Sequence, residues 1–125
     1  MEHLAAHFTF FNYDRRGRGD SGDPAPYAVE CEVEDIAALI EAADGSAFIF
    51  GHSSGAVLAL EAAKHGLAIP KLAIYEPLFI IDDSRPPLPA DYVPHLRELI
   101  AAGRPKAALE YFMTVAVGIP AEFYG

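Results

Sequence analysis

A chain of 125 residues with 52% hydrophobic and 22% charged side chains has the composition of one domain, or part of one, able to bury about two thirds of its unfolded surface. A disordered or low-complexity chain is excluded. Eighteen acidic against nine basic residues give a net charge of −9, which argues against nucleic acid and anionic membrane as partners and for a solvated acidic surface.

The single cysteine, Cys31, has no internal disulfide partner and no metal-ligand spacing around it, so a reducing compartment, the cytoplasm, is expected. Set among Glu30, Glu32 and Glu34, it does not have the surroundings of a reactive thiol. No apolar run approaches the length of a membrane span, and Arg15, Arg16 and Arg18 follow the first apolar run rather than precede it. Neither a membrane helix nor a signal peptide is expected.

Residues 1–7 read as the tail of a helix. Phe8 to Tyr13 is aromatic and β-prone with apolar residues on both faces, which predicts a strand buried on both sides, as in a parallel sheet. The loop from Asp14 to Pro26 is dense in Gly, Pro and charge. Within it Gly17-Arg18-Gly19-Asp20-Ser21-Gly22 fits a dinucleotide-binding pattern, but Pro24 and Pro26 follow where a helix should open. The next strand also ends without a carboxylate to hold a ribose, so no cofactor is expected. Arg18-Gly19-Asp20 spells an adhesion tripeptide by coincidence.

Ala28 to Asp44 carries Val29, Val33, Ile36, Ala37, Ile40 and Ala43 at helical spacing, and Gly45 ends it. Glu30, Glu32, Glu34 and Asp35 crowd the first turns, where the helix dipole favours them. A solvated face, and no metal site, is the expectation for that cluster.

The stretch that organises the chain follows. An apolar run from Ala47 to Phe50 stops at Gly51-His52-Ser53-Ser54-Gly55, and a helix-forming stretch from Ala56 to Lys64 begins at once. Strand, sharp turn and helix are the context in which G-x-S-x-G forms a nucleophile elbow, with the serine at the tip of a strained turn. Gly51 and Gly55 are expected to flank a backbone so bent that a Cβ would strike the neighbouring strand or helix. Ser53 would project its hydroxyl from the sheet, and the N–H of Ser54, at the helix N-terminus, would stabilise an oxyanion. The alternative is a glycine-softened helix start with two capping serines. Gly66 caps the helix and Lys71 to Glu76 predicts a further strand. Strands alternating with helices at this spacing imply an α/β fold with parallel strands.

Beyond Pro77 the pattern changes. Asp82 to Pro89 is an irregular proline-rich link. A helix from about Asp91 to Ala102 places Val93, Leu96, Leu99 and Ile100 on one face, and Gly103 closes it. A second helix, Pro105 to Val117, is expected to bury Ala108, Tyr111, Phe112 and Val115.

With these motifs in place the chain resembles the α/β-hydrolase family, in particular its lidded esterase, perhydrolase and lipase-like members. The resemblance rests on Tyr13-Asp14-Arg15-Arg16-Gly17-Arg18-Gly19-Asp20-Ser21, similar to the family's Y-D-x-R-G-x-G-x-S loop, on the elbow about thirty residues later, and on Tyr75-Glu76-Pro77 closing the next strand. It implies a partial α/β-hydrolase core over residues 1–80 and the beginning of a helical cap over 81–125. It further implies a serine hydrolase acting on a small-molecule, ester-type substrate, with Ser53 as nucleophile and the N–H of Ser54 as one oxyanion donor. Some members place the catalytic acid where Glu76 stands; the alternative is a polar strand-end residue. His52, in the family's pattern, is a bystander.

Departures from the family pattern carry expectations of their own. The H-G loop supplying a second oxyanion donor, and the late loop bearing the catalytic histidine, have no counterpart among these residues, so the chain reads as an internal fragment with little turnover alone. The family's sheet order also puts an absent strand between Phe8–Tyr13 and Ala47–Phe50. Open strand edges should then make the chain prone to self-association, and a non-catalytic α/β fragment that assembles through those edges is the competing reading.

Overall fold

The computed structural model describes residues 5–83 and 85–123. The expected helix tail over residues 1–7 falls largely outside them. The chain divides into two compact units, Met1–Phe79 and Ile80–Gly125.

In the first unit, helix α1 (Val29–Ala42) leads to strand β1 (Ile49–His52), helix α2 (Ser54–Lys64) and strand β2 (Leu72–Tyr75). The strands pair in parallel, Ile49 opposite Leu72 through His52 opposite Tyr75. This is one βαβ unit, and α2 is the connection that a parallel pair requires. Glycines stop the helices as their sequence positions suggested. The Gly45 N–H, at φ 81, returns to the Ile40 carbonyl at 2.9 Å, and Gly66, at φ 78, to that of Ala63 at 3.0 Å.

The core lies where α1 meets α2. Val33, Ile36 and Ile40 of α1 pack with Leu58 and Ala62 of α2, with Ala47, Ile49, Leu67 and Ile69 closing around them. The spacing of the first three is the helical stripe read from the sequence, except that Val29, at its start, is exposed. Small residues let α2 lie close: Ala56 and Ala62 are fully buried.

Among the described residues of the first unit, helices cover one face of the sheet. Along β1 the period of two aims Gly51 inward and Phe50 and His52 outward, and Phe48 and Phe50 stand 56% and 64% exposed. The run from Phe8 to Tyr13 corrects the sequence expectation. It is not a strand in the structure, and Phe8, Phe10 and Phe11 are exposed. The physical reason is the missing ladder: a strand exists only by pairing, and no described segment pairs with this one. It lies beside the sheet through an edge-on contact of Phe8 with Phe48, ring centroids 6.5 Å apart.

The second unit is helical. Helix α3 (Tyr92–Ala101) packs on α4 (Pro105–Tyr111), with Tyr92 stacked on Tyr111 at 5.4 Å and His95 edge-on to Tyr111 at 4.6 Å. The inward face of α3 is Tyr92, His95, Leu96 and Leu99, whereas Val93 and Ile100, expected inside, are exposed. The predicted second helix changes type: Phe112–Val117 is π-helical and ends at Gly118, φ 81. Thr114 Oγ donates to the carbonyls of Glu110 and Tyr111 at 2.8 and 3.3 Å, a back-bond that disturbs regular α-helix.

Candidate active site

Strand β1 ends at His52 and the chain turns at the next residue. Ser53 has φ 55 and ψ −121, a conformation that costs a side-chain-bearing residue about 1–3 kcal/mol. Its N–H donates to the Tyr75 carbonyl at 3.0 Å, and its own carbonyl accepts from Ala56 and Val57 at 3.0 and 3.4 Å. One residue thus closes the strand ladder and opens α2. The corner is as sharp as it is because β1 and the start of α2 nearly touch: a Cβ on Gly51 would stand 2.5 Å from the Gly55 carbonyl oxygen and 2.7 Å from Ala56 Cα.

The second glycine does not share that duty. A Cβ on Gly55 would meet nothing within 4 Å, which corrects the expectation that both glycines are sterically required. Only Gly51, on the inner face of β1, aims its Cβ direction at the helix.

Neither serine caps α2. Ser53 makes no side-chain bond to the helix it precedes, so the capping alternative fails for it. Ser54 is the first residue of α2, where an N–H has no intrahelical acceptor and lies at the positive end of the dipole. Its hydroxyl is engaged from outside, accepting from Arg15 Nη1 at 3.2 Å.

Arg15 is itself held in a fork. Its Nε and Nη2 donate to the two carboxylate oxygens of Glu32, the second at 2.6 Å, and the Tyr27 hydroxyl donates to the same carboxylate at 2.8 Å. Glu32 is 3% exposed. The hydrogen bonds from Arg15, with a further one from Tyr27, hold its carboxyl below the usual glutamate range, while the bond to Glu32 pushes the Tyr27 phenol up. Arg16 forms a second fork to Asp35, both bonds 2.8 Å, and reaches the Cys31 carbonyl at 3.1 Å. Two adjacent arginines therefore bolt the loop to α1. Arg15 and Ser54 also line an open cleft with Arg18, Tyr27, Val57, Leu78 and Phe79.

The glycine-rich loop folds back on itself. Gly17 N–H bonds the Gly22 carbonyl at 2.9 Å, and the Asp14 carboxylate accepts the Asp20 N–H at 3.0 Å. The glycines fold the loop onto Asp14, a carboxylate that would repel a pyrophosphate.

The alpha/beta hydrolase family profile matches residues 1–125. This chain belongs to the alpha/beta hydrolase family. A solved alpha/beta hydrolase from Sphaerobacter thermophilus DSM 20745 is 59% identical to it and superposes with a TM-score of 0.92, over 98% of this chain and 48% of that one. The chain thus spans about half the length of that structure. A search of curated proteins finds no match.

In this alpha/beta hydrolase the three residues singled out from the sequence lie at one sheet edge. Ser53 and Glu76 directly follow the paired residues His52 and Tyr75 at the C-terminal ends of neighbouring parallel strands. Both have positive φ, 55 and 47, and Glu76 is exposed. The C-terminal edge of a parallel sheet is where α/β folds place ligands. His52, His65 and His95 are engaged elsewhere. The His52 ring stacks on Tyr75 at 5.5 Å, and His65 Nδ1 lies 2.8 Å from the Glu61 carbonyl at the far end of α2. His3 lies outside the described residues. Among the described residues no side chain hydrogen-bonds Ser53 Oγ, none is grouped for metal binding, and no helix is long and apolar enough to cross a membrane.

The acidic face of α1 holds what sequence reasoning missed. Glu32 and Asp35 were expected in solvent; they are bonded to Arg15 and Arg16. The signal was present as adjacent arginines in the loop and two acids one helical turn apart, which fall on one face.

Proposed function

We propose that Ser53 is the nucleophile of an ester-type acyl transfer and hydrolysis on a small-molecule substrate. The observation that carries this reading is the backbone of Ser53: a serine at positive φ on a strand-to-helix corner, its hydroxyl unused as a cap, beside the free N–H of Ser54. Ser53 Oγ attacks the ester carbonyl as its proton leaves, and the Ser54 N–H and the dipole of α2 stabilise the oxyanion. Collapse of the oxyanion breaks the ester C–O bond and expels the alcohol, which takes up the proton, and water then hydrolyses the acyl-enzyme to release the acid and restore the Ser53 hydroxyl. Glu76 is the proposed acid, on the strength of its place at the same edge. Residues 81–125 are proposed as the beginning of a helical cap. The lone cysteine supports a cytoplasmic setting.

With no described histidine on Ser53 the proton has no good acceptor, and a serine lacking its base retains only residual catalysis. Turnover of p-nitrophenyl acetate by the 125-residue chain is therefore expected near the uncatalysed rate. Covalent capture tests the nucleophile itself. A fluorophosphonate, an electrophile reactive enough to report the residual activation by the Ser54 N–H and the α2 dipole, is expected to form one slow adduct over long incubation, mapped by peptide mass spectrometry to Ser53 and absent from Ser53→Ala. An adduct that persists in that variant refutes the assignment.

A second reading is favoured by the uncovered sheet face. Phe8, Phe10, Phe11, Phe48 and Phe50 are all at least 42% exposed, with Phe8 against Phe48, and exposed apolar surface of this kind favours association. Association through this face and the open strand edges is expected in sedimentation velocity as a sedimentation coefficient that rises with concentration. A single monomeric species up to about 100 μM, some hundredfold above a micromolar dissociation constant, contradicts it.

A further inference from the structure

Leaving the Ser53 hydroxyl free for chemistry deprives α2 of its natural cap, yet the first turn of that helix carries the oxyanion N–H and must not wander. The first turn is held instead by a residue 39 positions away in sequence: Arg15 Nη1 donates to Ser54 Oγ at 3.2 Å. The geometry points to Arg15 as a positioning residue for the reaction, fixing the Ser54 peptide, and so the direction of its N–H, through the Ser54 hydroxyl. This inference rests on reading Ser53 as the nucleophile.

The construction of the network supports more than a loop clamp. Arg16 already bolts the loop to α1 through Asp35 and the Cys31 carbonyl. Arg15 spends two of its nitrogens on Glu32 and keeps the third for Ser54, so it ties the loop and α1 to a third element, the elbow. A bare guanidinium would be repelled from the positive end of α2. Glu32, buried and bidentate, cancels that charge and locks the fork, with the Tyr27 hydroxyl donating to the Oε1 that Arg15 Nη2 also bonds. What reaches Ser54 is a directed hydrogen bond with little net charge behind it. Lysine has the charge but not the three-way planar fork.

The test uses the whole 125-residue chain and the rate of Ser53 modification by a fluorophosphonate, with melting followed by circular dichroism. Ser54→Ala is expected to slow labelling by up to about tenfold, the upper scale of losing one hydrogen bond, while Ser54→Thr, which keeps a hydroxyl, labels within about twofold of the wild type. Arg15→Lys is expected to slow labelling similarly, and adding it to Ser54→Ala to slow it by no more than a further twofold, because both break one contact. A wild-type rate in Ser54→Ala, or a full extra loss on adding Arg15→Lys, overturns the inference and leaves the nucleophile assignment standing. Should Arg15→Lys fail to fold, the pair Ser54→Ala and Ser54→Thr decides alone. Absence of any Ser53 adduct in the wild type overturns both.

Discussion

Gly51→Ala is expected to destabilise the chain by about 3 kcal/mol or more, the upper range for overpacking against atoms that cannot yield. The atoms a methyl group would meet, at 2.5 and 2.7 Å, are the Gly55 carbonyl oxygen and Ala56 Cα. Both are backbone, so no rotamer change relieves the clash. Relief requires β1 and α2 to separate, which pulls Ala56, buried at 0% exposure, off the sheet and flattens the corner at Ser53. Gly55→Ala provides the control within the same motif. Its new methyl meets open space, and alanine restricts the unfolded chain and favours helix, so a gain of about 0.4–1 kcal/mol is expected. Urea unfolding of the two variants measures the contrast. Equal losses at both positions would show that the motif's glycines are interchangeable and that close approach of strand to helix does not govern the elbow.

Removing the Glu32 carboxylate is expected to cost about 3 kcal/mol, the low end for breaking a buried pair, because Arg15 is left as an uncompensated, half-buried charge. The side chains of the pair are 15% and 4% exposed, arginine first, so solvent offers little screening. The same pair makes stability depend on pH, with a definite sign. Arg15, and after it Tyr27, holds the Glu32 carboxyl below its ordinary value of 4.5, so the unfolded chain takes up the proton more readily than the folded one. The stabilisation is complete above about pH 4.5, and it is lost as the pH falls through the lowered folded-state value. Urea midpoints at pH 7 and pH 3 are expected to differ strongly in the wild type and much less in Glu32→Gln. An unchanged acid sensitivity in Glu32→Gln would assign it to other carboxylates, Asp35 first among them, whose carboxyl Arg16 also lowers.

These two expectations sit on different levels of legibility. Gly51 and Ser53 are visible in the sequence because the elbow is local: an apolar run, five residues and a helix-forming stretch specify a corner without help from distant chain. The close approach that excludes a side chain is a property of that short segment. Gly55 matched the same pattern and carried a different physical content, since its steric surroundings depend on what packs nearby. The Arg15–Glu32–Ser54 network was not legible, because it joins a loop, α1 and α2 across 17 and 39 residues of sequence. Glutamates on a helix with unknown neighbours read as solvated, and only packing turns one inward.

The aromatic run from Phe8 to Tyr13 shows the limit from the other side. Its β-propensity is plain, but propensity describes a residue's fit to a pleated surface and does not supply the partner whose N–H and C=O groups make a ladder. Periodicity likewise placed α3 on the chain and missed its inward face by about one residue, the phase being set by where Tyr111 sits.

From the sequence alone came everything enforced by neighbours along the chain: the order of helices and strands, their glycine stops, the parallel βαβ unit and the serine at its corner. These rest on short-range sterics and hydrogen-bond spacing, which a few residues determine. The tertiary structure decided which groups meet across the fold. It chose which glycine is irreplaceable, which acids are buried, and which arginine reaches the elbow, because those outcomes depend on distances between segments that no local pattern encodes.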